Sequence, residues 1–236
     1  MPAFNPPSAA RRASFLFIHA LLIPAGFALA AIASHATGFD ERVSALSFDA
    51  AAHVFPARSS IVLEVIGHRL AQSAIIGLWL TLLATALAVT LHDRQLTMHA
   101  TLWATVVAMV LGPAIVVLLK GMNSLHCPWD LKRFGGYADF TGSWFVPVEH
   151  AGHCFPSGHA AGGFSLIAIS FAGIAAGHRR LRTIGMAAAI VAGAAFSAVR
   201  VAQGAHFLSH NLWSAAIDWC AAALVFASLL APRGRE

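Results

Sequence analysis

The stretch Met98-His-Ala-Thr-Leu-Trp-Ala-Thr-Val-Val-Ala-Met-Val-Leu-Gly-Pro-Ala-Ile-Val-Val-Leu-Leu119, followed at once by Lys120, decides the fold. It holds no Asp, Glu, Lys or Arg. A bilayer core needs about 20 such residues as helix, and this stretch is long enough to cross it. Five further stretches share its character: about Ser14–Ser34, Leu70–Leu91, Ala160–Gly177, Thr183–Val199 and Leu212–Leu230. The whole chain agrees. Of its 236 residues 58% are hydrophobic and 11% charged, against roughly a quarter charged in an ordinary soluble domain. That balance excludes a soluble enzyme, a disordered chain and a protein that reads nucleic acid through a basic surface. The expectation is an all-α fold: one domain over residues 1–236, a polytopic bundle of six transmembrane helices. Small residues at Gly162, Gly163, Gly173 and Gly193 would let helices approach closely. The first apolar run is too long for a signal peptide and reads as a retained anchor.

Six spans put both termini on one side. With the termini inside, the short inner segments carry Arg11, Arg12, Arg94, Arg179, Arg180, Arg182, Arg233 and Arg235. The longer outer segments carry Arg42, Arg58, Arg69, Lys120, Lys132, Arg133 and Arg200. By density this favours an N-in/C-in orientation. Residues Phe39 to Arg58 mix charges with Val43, Leu46, Phe48 and Val54, the pattern of a short interfacial helix in the first outer loop.

The outer side also collects the chemistry. Of 13 histidines, the six between Lys120 and His210 that fall there are His126, His150, His153, His159, His206 and His210, beside Lys120, Lys132, Arg133 and Arg200. Ionisable groups at membrane depth are costly and tend to be functional. Histidines beside fixed cations suggest an anionic substrate and proton transfer near neutral pH. Pro156-Ser157-Gly158-His159 reads as a helix start whose free N–H groups and dipole suit an anion. His206 and His210 are spaced i, i+4, which on a helix puts them on one face. They could pair on a metal, but no convincing metal-ligand spacing is present, and no metal or cofactor is expected.

Three pieces now stand in order: Lys120, six residues, Cys127-Pro128; Pro156-Ser157-Gly158-His159; Val199-Arg200, five residues, His206, three residues, His210. This constellation resembles the phosphatidic acid phosphatase type 2 / vanadium haloperoxidase superfamily. That family's pattern is Lys-x6-Arg-Pro, Pro-Ser-Gly-His and Ser-Arg-x5-His-x3-Asp. The resemblance covers about Lys120–Asp218 and implies a six-span membrane lipid phosphatase. It implies that His206 is the nucleophile, forming a phosphohistidine, and that His159 is the general acid. Lys120, Arg200, Ser157 and Gly158 would cradle the phosphate, with no metal needed. The substrate would be a lipid phosphate monoester or pyrophosphate. The site would face the periplasm from a bacterial inner membrane. The expected partners are that substrate and membrane lipids, and not nucleic acid. A lipid phosphotransferase using the same site, and a non-catalytic anion or lipid transporter, stay open as other readings.

Three positions depart from the pattern. The first-motif arginine is Cys127, and Arg133 is a candidate for the missing guanidinium. The third-motif aspartate is His210, which either takes that part itself or leaves it to Asp130, Asp139 or Glu149. Asp218, two turns deeper in the last span, is expected to pair inside the bundle. Val199 replaces the motif serine. Cys127 and Cys154 each abut a motif, and an oxidising compartment would let them form a disulfide. Trp129, Trp144, Phe145 and Trp213 are candidates for an acyl-chain entry or an interfacial aromatic belt.

Overall fold

A computed structural model describes residues 9–92, 96–140 and 151–230. Glu149, His150, Trp144, Phe145, Arg94, Arg233 and Arg235 lie outside the described residues. The described chain is all-α, and six of its helices are long and apolar enough to cross a membrane. They are α1 (Ala9–Ala36), α3 (Ala71–Leu91), α4 (Met98–Met122), α5 (Gly158–Ala175), α6 (Arg179–Ala202) and α7 (Leu208–Leu229). Each matches an expected span to within a few residues. Between α1 and α3, the short helix α2 covers Phe39–Ala45.

Helix α7 is central. It packs along α1 and α4 and also touches α5. Its alanines, Ala215, Ala216, Ala221, Ala222, Ala223 and Ala227, are buried, which lets neighbouring backbones come near. Phe171, Trp219 and Phe226 fill the remaining core with Phe15 and Ile167. His19 lies in a wider π turn over Leu16–Leu22, its ring 4.9 Å from that of Phe15 and 5.1 Å from that of Phe171. Trp219 Nε1 donates to its Nδ1 at 3.3 Å. It is a packing residue, as its place within a span suggests. Leu29, Val117, Leu118, Ile184 and Val191 point outward and are exposed, as surfaces facing lipid would be.

Helices α5 and α6 pack closely at Gly163 and Gly193. A Cβ on Gly163 would sit 2.7 Å from the Gly193 backbone nitrogen. Beside it, a Cβ on Gly162 would meet nothing within 4 Å, so that glycine does not serve the crossing. Overpacking of this kind costs roughly 1–3 kcal/mol. Gly163→Ala is therefore expected to lower the thermal unfolding midpoint in detergent, while Gly162→Ala leaves it nearly unchanged. Equal midpoints for the two variants would contradict the crossing.

The loop between α1 and α3 holds a short helix, as expected, but one that covers only part of the run from Phe39 to Arg58. Helix is confined to Phe39–Ala45. The rest turns back through an isolated bridge between Asp49 and Val54 and a short 3₁₀ turn at Pro56–Ser59. The reason is aromatic packing. Phe55 is buried with Leu131, Phe134, Ala138 and Phe207, and Phe48 packs against them. The loop thus folds onto the segment that joins α4 to α5 and onto the turn before α7.

Candidate active site

The three motifs meet at one end of the bundle, where α4 and α6 end and α5 and α7 begin. Lys120 and Arg200 close their helices as the basic residue of the last turn. Ser157 caps α5, its Oγ accepting from the Ala160 N–H at 3.5 Å. Motifs two and three are joined directly. The Ser157 N–H donates to the His210 carbonyl at 3.3 Å. Ser214 Oγ donates to the Ser157 carbonyl at 2.9 Å and to the His210 carbonyl at 3.0 Å.

Motif one is tied in by backbone pairing. Asn123 reaches both Lys120 and the loop before α5: its side-chain amide donates to the Lys120 carbonyl at 3.2 Å and also to the Phe155 carbonyl. The Gly152 N–H donates to Ser124 at 3.1 Å and the Cys154 N–H to Leu125 at 2.9 Å. Cys127 and Cys154 form a disulfide with Cα atoms 5.2 Å apart. This bond links the Lys120 loop to the segment before α5.

His206 sits at the centre. It is 2% exposed, as is His210. Burial pushes its pKa well below the ordinary 6.5, and the nearby charges of His210, Lys120, Arg200 and His159 act in the same direction. Those four groups are therefore its electrostatic surroundings. His206 and His210 do not share a helix face: α7 begins at Leu208, so His206 stands in the turn before it. Their rings meet edge to face, with centroids 5.8 Å apart. His206 Nδ1 faces Cys154 Sγ at 3.5 Å, and the same sulfur lies 3.1 Å from the Ala205 carbonyl. A disulfide sulfur carries no proton, so toward Nδ1 it can at most be a weak acceptor.

The remaining candidates are dispersed. Arg133 ion-pairs with Glu41 of α2 and stays largely exposed. It is not among the groups whose charge acts on His206. Asp139 pairs with Lys132 at 2.8 Å. Asp130 caps its own turn, accepting from the Cys127 N–H at 3.3 Å. Asp218 does not pair as expected. Both its oxygens are buried without a hydrogen-bond partner, and the carboxyl is pressed against Gly112 of α4, where a Cβ would fall 1.9 Å from Oδ1. Cys220 is a free, partly buried thiol in α7.

Two residues missed by sequence reasoning stand out. Asp40 of α2 is 2% exposed. Its carboxylate accepts from the Ser209 N–H at 2.9 Å, from Ser209 Oγ, and from Ser34 Oγ at 2.7 Å. It does the work of an N-cap for α7, whose own cap residue, Phe207, has no side chain for the task. His35 Nδ1 stands 3.8 Å from the same carboxylate. The second residue is Arg58, whose guanidinium lies 4.3 Å above the Trp129 ring, while that of Arg200 lies 5.8 Å from the same ring. The ring gathers two guanidinium groups at the site's edge. The Trp129 N–H donates to Gly204 at 2.9 Å and holds the ring there. Neither residue lies in a recognisable local pattern, and each is brought in by the folded loop between α1 and α3.

Beside the turn between α6 and α7 lies an apolar cavity of ≈ 670 Å³, lined among others by Phe27, Phe164, Val201, Leu208, Leu212 and Trp219. Trp129 and Trp213 do not line it. Trp129 borders a pocket with His53, Phe55 and Arg58, and Trp213 borders a groove between α1 and α7.

A model of the PAP2 superfamily matches residues 101–232. No curated protein and no solved structure gives a significant match to the chain. The matched segment runs from within α4 to just past α7 and so contains all three motifs. The chain belongs to the PAP2 superfamily, and with its six apolar helices it is a membrane phosphatase-type protein.

Proposed function

We propose that this PAP2 chain removes a terminal phosphate from a lipid phosphate monoester or pyrophosphate, with His206 as the nucleophile. The observation that carries the reading is the tying of all three motif segments around the buried His206, by the Ser157–His210 hydrogen bond, the Cys127–Cys154 disulfide and the contact of Cys154 with His206. Phosphoryl transfer asks a protein mainly for in-line positioning and neutralisation of the equatorial oxygens. Lys120 and Arg200 supply fixed positive charge, with Ser157 and Gly158 at the start of α5. His206 Nδ1 faces a sulfur, which leaves Nε2 to attack phosphorus. The phosphorus–oxygen bond to the leaving group breaks, and His159 protonates the departing alkoxide or phosphate. His159 then takes a proton from water, which attacks the phosphohistidine, releases phosphate and restores His206. The cavity of ≈ 670 Å³ beside this turn suits a lipid tail. The site would face the outer side of a bacterial inner membrane, with both termini inside.

Purified full-length protein in detergent is expected to release phosphate from members of a lipid-phosphate panel. Absence of release from every member, by folded protein, would contradict the reading. Arg58 is expected to assist binding in place of the guanidinium that Cys127 lacks. Arg58→Ala should raise KM severalfold with a smaller change in kcat, while Arg133→Ala, which loses an exposed ion pair, retains nearly full activity. The reverse ranking would reassign the phosphate contact to Arg133.

The lowered pKa of His206 has a definite sign. The nucleophile is active when neutral, and an imidazole with a depressed pKa keeps its lone pair to lower pH. At pH 6 an ordinary histidine is mostly protonated, whereas His206 remains neutral. Histidine-selective nitrogen NMR of the substrate-free protein should show one ring neutral at pH 6 that disappears in His206→Ala. A His206 ring that titrates near 6.5 would contradict the buried arrangement.

A further inference from the structure

We infer that reduction of the Cys127–Cys154 disulfide uncovers a binding site for a soft divalent cation such as Zn²⁺, made by Cys154, His206 and His210. Ligand atoms of these three buried side chains all lie within 4.8 Å of one another. Cys154 Sγ and His206 Nδ1 are 3.5 Å apart. Tetrahedral zinc, with its sulfur bond near 2.3 Å and nitrogen bonds near 2.0–2.1 Å, separates such ligands by about 3.5 Å. A second observation is independent of that spacing. His210 Nδ1 is buried without a hydrogen-bond partner, on a ring that is 2% exposed and also interacts with the Cys154 backbone. A buried nitrogen in that condition is an unused donor to a metal.

Two of the three departures from the family pattern converge here. Histidine at position 210 supplies the third ligand. Cysteine at position 127 holds Cys154 in a form that cannot ligate, since a metal needs the thiolate. The oxidised protein therefore offers two imidazoles and no thiolate. Cys127 is half-buried while Cys154 is fully buried, so a reductant meets Cys127 first. With a water-soluble phosphine, phosphorus attacks the Cys127 sulfur and the S–S bond breaks, expelling the Cys154 thiolate. Water then supplies the oxygen of the phosphine oxide and the two protons that complete both thiols. The metal displaces the Cys154 thiol proton to solvent, and a water or an anion takes the fourth position. Lys120 and Arg200 oppose a bare dication, and the thiolate offsets one charge. Metal binding does not depend on the proposed function. Its consequence does: a metal on His206 would block phosphoryl transfer.

The test uses Co²⁺ as a spectroscopic stand-in for Zn²⁺, on full-length protein purified without a histidine tag and bearing Cys220→Ser. Phosphine-reduced protein, its free thiols counted by alkylation and mass spectrometry, should bind one Co²⁺ per chain with a thiolate-to-cobalt charge-transfer band. Oxidised protein should show no such band. Cys127→Ser, which frees Cys154 without reductant, should show it directly. Cys154→Ser should lose it. His210→Ala should weaken binding by at least the roughly tenfold that loss of an outer partner costs. Equal Co²⁺ spectra for reduced protein and for Cys154→Ser would overturn the site. So would absence of the band in folded Cys127→Ser. No substrate is present, so the result is independent of whether the protein hydrolyses lipid phosphates.

Discussion

His206→Ala is expected to lower phosphate release from a lipid phosphate by at least about 10³-fold, with little loss of folded protein. The size follows from its place. Lys120, Arg200, His159 and His210 all act on His206, and an alanine there cannot form a covalent intermediate. The fold should survive, because the backbone of this turn is held by others: the Ala205 and His206 N–H groups donate to the Arg200 carbonyl at 2.9 and 3.3 Å. Alanine also removes a buried ring whose polar atoms are costly to bury. His159→Ala should lose about 10²–10⁴-fold, the range for a general acid, and least with a pyrophosphate, whose leaving group needs the proton less. Turnover by His206→Ala within a few-fold of wild type would end the phosphohistidine mechanism.

Asp40→Ala is expected to have a large effect of a different kind, through position. The carboxylate accepts three hydrogen bonds, two of them from Ser209 next to His210. Alanine leaves the Ser209 N–H, the Ser209 hydroxyl and the Ser34 hydroxyl to find other partners in a buried place. Each unsatisfied group costs roughly 1–3 kcal/mol. The start of α7 should loosen, and with it the registry of His206 and His210. Lys120 and Arg200 sit on other helices and keep their charge in place. The expected signature is a lower unfolding midpoint in detergent, with kcat falling more than KM rises. Asp40→Asn, which keeps an acceptor, should recover part of both. Wild-type stability and turnover in Asp40→Ala would show that the α2 contact does not hold the site.

The spans were legible because a bilayer imposes one simple demand, a long apolar run, and the stretch ending at Lys120 meets it without ambiguity. The motif residues were legible for a related reason. Each lies at a span end, where the alternative of a solvated surface is scarce. What local sequence could not show was long-range. Asp40 reaches Ser209 across 169 residues, and nothing near Asp40 announces it. Arg58 is placed by Trp129, and Trp129 by the Gly204 carbonyl. The loop from Phe39 to Arg58 reads as amphipathic, yet Phe48 and Phe55 pack on each other and on Phe134 and turn it into a folded cap. Arg133 is the natural candidate by proximity in sequence, and in the fold it ion-pairs with Glu41 of α2. The i, i+4 spacing of His206 and His210 suggested a shared helix face. The two rings do meet, but across the turn into α7, because Asp40 caps that helix two residues after His206.

The central claim is the covalent one, and acid-free quenching tests it most directly. The full-length protein in detergent, mixed with a lipid phosphate carrying a labelled terminal phosphorus and stopped within one turnover, should carry the label on the protein. The adduct should be labile to acid and stable to base, as a phosphoimidazole is. Peptide mapping should place it on His206, and His206→Ala should show none. Label on any other side chain would contradict the account, as would rapid turnover with no labelled protein at any quench time.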